Sequence, residues 1–307
     1  MLSGVSIMCF TASYAVALAL EVTRFFFRSS VRGMVMIGFA AAGLFAHTVF
    51  LWNRAVHATG APLSSQQDWY LISAWIFMAG YLYVTCWQRK TSMGLFVLPV
   101  VFSLIGAAAW FADPRPFDIE PAIEIWGMAH GVSILLSTVV VLVGFLSGLM
   151  YLFQAYLLKH KVIASGFFRL PSLEWLQLMN RRAMLVAAPL MGVGVLAGVV
   201  LNFIHQPHQL PWKDPLSLIT LIAFAWLVGA GLVSSLYQPM RHSRKVAYLT
   251  LLSFLVLAAM LGVGLFAGTQ HRKLQATSSG LRHPPGGALP SGKLVSVGRF
   301  PGSEELG

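Results

Sequence analysis

The chain has 307 residues, 57% of them hydrophobic and 10% charged, with a formal net charge of +11. Soluble domains carry roughly a quarter charged residues, and here the apolar residues form long runs instead of recurring every two or every three to four positions. That excludes an ordinary soluble domain, and the scattering of the basic residues through short segments between the runs excludes nucleic acid as the reason for the charge.

In lipid every backbone N–H and C=O must be satisfied within its own segment, so apolar runs of this length read as transmembrane helices. They predict an all-α polytopic bundle with spans near 4–27, 34–52, 69–87, 93–112, 130–158, 183–204, 216–237 and 246–267. The first run, from MLSGVSIMCF onward, has no basic leader segment and no small-residue cleavage site, and reads as a span and not as a signal peptide. Glu21 and Arg24 stand three apart near its inner end and are expected to pair structurally.

Charge alternates between the connecting segments. One set carries Arg24, Arg28 and Arg32, then Arg89 and Lys90, then Lys159, Lys161, Arg169, Arg181 and Arg182, then Arg241, Arg244 and Lys245. The opposite set holds only Arg54, Arg115 and Lys213. The positive-inside rule places the first set in the cytoplasm, so the number of spans is even, about eight, and both termini are outside. Cys9 and Cys86 then fall near opposite faces, too far apart to bridge, and the chain holds no CxxCH motif of its own.

The fifth run is long. From His130 to Leu158 one helix would extend about 43 Å at 1.5 Å per residue, against a hydrocarbon core of about 30 Å. It must tilt or protrude, which leaves His130 at or above the outer interface. The acidic, proline-punctuated segment 113–129 precedes it as an outside loop. The inside segment 159–182 contains LPSLEWLQLMNRR, which reads as a short interfacial helix. Residues 272–307 are rich in Gly, Pro, Ser and basic residues and are expected to form a disordered tail.

Of the nine histidines, His47, His57, His130, His205, His208 and His271 all fall at the outer side. Neutral imidazole is a common ligand for transition metals and haem iron, and two helix-end histidines from different spans can supply the two axial donors of a haem. Trp52, Trp69, Trp110, Trp126 and Trp212 are also at outer ends. They serve either as the usual interfacial belt or as an apolar shelf for a planar ligand. The segment HQPHQLPWKDP, 205–215, gathers His205, His208, Trp212 and Asp214 in one short outside loop. His47 differs from the rest. It lies about five residues inside the span, roughly 7 Å deep, where an ionisable group is a functional hypothesis by default.

The stretch WGMAHGVSILLSTVVVLVGFLSGLMYLFQAYLLKHK at 126–161, followed by LPSLEWLQLMNRRAMLVAAPLMGVGVLAGVV at 170–200, resembles the cytochrome c assembly family. That family includes the haem-handling subunits of cytochrome c synthases and the related HemX-like proteins. The resemblance covers about 126–271, and AHTVFLW at 46–52 resembles the second span of the HemX-like branch. It implies three regions: an N-terminal four-helix membrane region at 1–125, an assembly-like membrane domain at 126–271, and the tail at 272–307.

Carried over by position, the resemblance implies that haem b is held through its iron by His130 and His271. Trp212 and Asp214 belong to the external haem loop, and His47 matches the intramembrane histidine. His205 is a further candidate contact. The sequence departs from the synthases in its thin tryptophan platform, Pro211-Trp212-Lys213, in Leu216-Ser217 after Asp214-Pro215, and in having a single intramembrane histidine.

The implied function is to hold haem at the outer face of a bacterial inner membrane for attachment to apocytochrome c, beside a second membrane subunit of the assembly system. The chain brings no acid–base pair or nucleophile suited to forming the thioether bonds, so its part is positioning and redox protection. The alternative is a HemX-like regulator or scaffold of haem biosynthesis without catalytic activity, acting through the basic 159–182 segment. A small-solute transporter is disfavoured, because no charged pair or broken helix stands at mid-membrane.

Overall fold

The structure is a computed structural model describing residues 6–23, 30–57, 63–87, 92–115, 124–160, 170–205, 215–236, 248–249, 251–256 and 259. Its elements are α1 (Ile7–Val22), α2 (Ser30–Val56), α3 (Gln66–Trp87), α4 (Gly94–Trp110), α5 (Glu124–Lys159), α6 (Leu173–His205) and α7 (Pro215–Leu236), and every one is a helix. Four stretches, Val31–Val56, Gln66–Trp87, Ile125–Lys159 and Leu173–Ile204, are long and apolar enough to cross a bilayer. Ile7–Val22, Gly94–Trp110 and Leu218–Val233 are shorter apolar helices. The chain is therefore an all-α, multi-pass membrane protein. The described residues all belong to one compact unit, which lies within Met1–Leu261.

The first seven predicted spans each hold a helix; α1 and α4 fall short of their runs, whereas α2, α3, α5 and α6 outrun theirs. α5 starts at Glu124, so His130 lies nearly two turns inside it and part of the expected 113–129 loop is helical. α6 starts at Leu173, so the expected interfacial helix and the sixth span are one rod. Nothing in Leu173–Arg182 breaks a helix, and Ser172 caps its start by accepting the Trp175 backbone N–H at 3.3 Å. At 1.5 Å per residue α5 and α6 are about 54 and 50 Å long, well beyond a hydrocarbon core of about 30 Å. Of the predicted eighth span, residues 251–256 are helical.

α1, α2, α3 and α4 form a closed ring, with α1 on α2, α2 on α3, α3 on α4, and α4 back on α1. α5, α6 and α7 form an open row, joined to the ring where α5 meets α3 and α4. α5 therefore has two working faces. Val139, Leu142, Leu146 and Met150, spaced three to four apart, join the ring's core. Val141 joins a second core with Ala187, Met191, Ala223 and Leu227 of α6 and α7.

Lipid tails are as apolar as leucine, so helices in a membrane associate through close packing and interhelical hydrogen bonds more than through the hydrophobic effect. The ring shows this at the end where α2 finishes and α3 begins. Ser65 and Asp68 make a capping box: the Asp68 N–H donates to Ser65 Oγ at 3.1 Å, and the Ser65 N–H donates to Asp68 Oδ2 at 3.1 Å. The Ser65 hydroxyl also donates to Oδ2 at 2.6 Å. Arg54, in the last turn of α2, forms an ion pair with Asp68 Oδ1 and donates to the Pro114 carbonyl after α4 at 3.0 Å. Arg54 thus ties together three helix ends.

Candidate functional site

The same end of the molecule carries His47 and His130, at different interfaces. His47 lies between α1 and α2, fully buried. Phe10 stacks on its ring with centroids 4.0 Å apart and planes within 2°. The Tyr14 hydroxyl is 3.2 Å from its Nδ1. Phe10 and Tyr14 are four apart on α1, hence on one face, as are Gly43 and His47 on α2. Gly43 makes the approach possible: a Cβ there would lie 2.6 Å from the Tyr14 ring. His47 Nε2 is buried, with no hydrogen-bond partner among the described residues.

His130 is half-buried and faces α6. Its Nδ1 is 2.7 Å from the Gly194 carbonyl oxygen. A carbonyl only accepts, so Nδ1 carries the proton and donates it, and in the neutral imidazole that leaves Nε2 as the nitrogen with the lone pair. This is the arrangement by which metal-ligating histidines are oriented: the second ring nitrogen is anchored on a carboxylate or backbone carbonyl, and ring direction and tautomer are set together.

Two glycines one turn apart on α6 make the bond possible. A Cβ at Gly198 would lie 2.7 Å from His130 Nδ1, and one at Gly194 would lie 2.8 Å from Ile134 Cγ1. Seven residues further along α5, the Ser137 hydroxyl donates to the Ala187 carbonyl at 2.9 Å. Because 130 pairs with 194 and 137 with 187, the two helices run antiparallel in fixed register.

The tryptophans sort into two kinds. Trp52 and Trp110 are 70% and 82% exposed and Trp126 is exposed as well, as belt residues are. Trp69 instead packs its six-membered ring directly over Gly131, the residue after His130, where any Cβ would clash.

Of the remaining residues implied by the resemblance, His205 is the last residue of α6. His271, Trp212 and Asp214 lie outside the described residues. Among the described residues no cluster of three or more His, Cys, Asp or Glu side chains forms, whereas axial ligation of haem needs only two donors.

Sequence reasoning did not single out Gly194, Gly198, Gly131 or the partners of Arg54. The first two are visible as a small-xxx-small motif, Gly194-Val-Leu-Ala-Gly198, of the kind that lets membrane helices approach closely. The Arg54 partner is visible as the Ser65-x-x-Asp68 capping pattern. No family model, no curated protein and no solved structure matches this chain.

Proposed function

We propose that this chain is a haem-handling membrane protein of cytochrome c biogenesis, which holds haem b at the outer face of a bacterial inner membrane for attachment to apocytochrome c. The observation that carries the reading is His130 Nδ1 held at 2.7 Å on the Gly194 carbonyl. That bond fixes a tautomer whose Nε2 has an unprotonated lone pair, which is what iron ligation demands of a histidine. The resemblance of 126–271 to the assembly family supplies the second donor, His271, and places Trp212 and Asp214 beside it.

In this reading the membrane topology is eight spans with both ends outside, as the distribution of basic residues requires. Bound haem supplies its iron and its vinyl groups, which are the sites of attachment. The chain's residues hold and orient. His130 keeps its proton at Nδ1, Gly198 leaves room for the ring, and the Ser137–Ala187 bond holds α5 and α6 in the register that keeps Gly194 opposite. Thiols come from the apocytochrome, delivered with a second assembly subunit.

The test is an absorption spectrum of the detergent-purified protein, oxidised and reduced. A Soret band that falls sharply in His130→Ala and in His271→Ala is the expected result. Equal haem content in wild type and the double variant overturns the reading.

A second reading, a HemX-like regulator or scaffold of haem biosynthesis without catalytic activity, is favoured by one observation. His47, the intramembrane position, is closed off by Phe10 and Tyr14 with Nε2 buried. That suits a protein through which haem is not passed. Replacing the 159–182 segment separates the two: regulation is lost while haem binding stays.

A further inference from the structure

We infer that Trp69 is a positioning residue for the ligand of His130, its indole N–H donating to a carboxylate of a bound tetrapyrrole; this rests on the haem reading above. Trp69 lies on α3, outside the stretch that resembles the assembly family. Its ring is seated against Gly131, adjacent in sequence to His130, and only a glycine can stand there.

Two other indoles that pack between helices spend their N–H inside the chain. Trp75, on the same helix, donates to Thr48 Oγ1 at 2.8 Å, and Trp226 donates to Ser253 Oγ at 3.0 Å. Trp69 Nε1 is buried, and no group among the described residues accepts its proton. Indole nitrogen is a donor only, so the missing partner must be an acceptor. A buried polar group without a partner calls for a specific explanation, and a ligand is one.

The surroundings do not oppose an anionic acceptor. Asp68 immediately precedes Trp69, but Arg54 takes its Oδ1, and the Ser65 N–H and hydroxyl take its Oδ2. The nearest carboxylate in sequence is thereby neutralised and does not repel another. Haem carries two carboxylates at one edge and is planar, so a tetrapyrrole ligated at its centre by His130 has an acceptor to offer at its rim.

The test is a titration of the full-length protein in detergent with hemin and with hemin dimethyl ester, whose carboxylates are blocked. Binding is read from the Soret band and from quenching of tryptophan emission. Trp69→Phe keeps an aromatic side chain but removes the N–H together with one of the two fused rings, so the dimethyl ester serves as the control for lost packing. Hydrogen bonds to charged groups are strong enough that this variant is expected to bind hemin about tenfold more weakly than wild type. Its affinity for the dimethyl ester should match that of wild type. Trp75→Phe, which removes an N–H with an acceptor inside the chain, should leave both affinities alone.

If hemin binds with dependence on His130 yet Trp69→Phe matches wild type for both ligands, the inference is overturned and the haem reading stands. If wild type and His130→Ala bind hemin equally, the haem reading fails and takes this inference with it.

Discussion

His47 in the ring of α1–α4 and His130 in the row of α5–α7 are held in different ways, one by a side chain and one by a backbone carbonyl. In the ring, polar groups pair with one another: Arg54 with Asp68, Asp68 with Ser65, and Tyr14 with His47. The first two pairs lock helix ends together, and the third closes His47 in with its Nε2 buried. Where α5 meets α6, Gln177 donates to the Tyr151 hydroxyl at 3.0 Å, but His130 and Ser137 bond to backbone carbonyls, those of Gly194 and Ala187. A side chain anchored to backbone leaves no second side chain consumed, and a histidine anchored through one nitrogen still has the other to use. The ring's bonds hold helices together, while that of His130 also sets the ring direction that the haem reading needs.

The comparison is broken most severely at Asp68. Removing one partner of a buried ion pair strands the other, and Asp68 also caps α3. Asp68→Ala should cost about 3 kcal/mol, the low end of the range for buried pairs because the Arg54 side chain keeps 26% exposure. Unfolding in mixed detergent measures it, and hemin affinity per folded molecule should not change.

Gly198→Ala comes next. Its Cβ would meet the His130 ring at 2.7 Å, and inserting a methyl into a packed interface costs about 1–3 kcal/mol. Here hemin binding should fall as well, since the ring is pushed off Gly194. A Gly198→Ala protein that loses stability but binds hemin normally would erase the distinction between row and ring.

The smallest effect is expected for Tyr14→Phe, which removes a single hydrogen bond to His47 and should cost about 1 kcal/mol, with hemin binding unchanged. Loss of haem in that variant would move the function into the ring.

Hydropathy and charge made the helices legible because lipid leaves a spanning chain few alternatives. Helix ends were less so. Apolar runs mark where the bilayer stops, whereas a helix stops where its backbone bonds are capped, so α6 runs back to Ser172 and α5 to Glu124. At the site, the chemistry-bearing residues stood out and their partners did not. His130 and His47 are conspicuous in an apolar sequence. The acceptor of His130 is a backbone carbonyl, which no residue type announces, and its presence depends on the antiparallel register of α5 and α6. The difference between Trp69 and its belt-like neighbours Trp52 and Trp110 is a matter of which side of a helix faces protein, and three tryptophans at helix ends look alike until the helices are packed.

The most direct measurement on the central claim is imidazole rescue. In His130→Gly the ring is deleted, leaving room for free imidazole in its place. Purified His130→Gly should show little Soret absorbance with hemin, and millimolar imidazole should restore the band at the wild-type position. A band of wild-type intensity without imidazole, or none with it while the protein stays folded, would contradict ligation by His130.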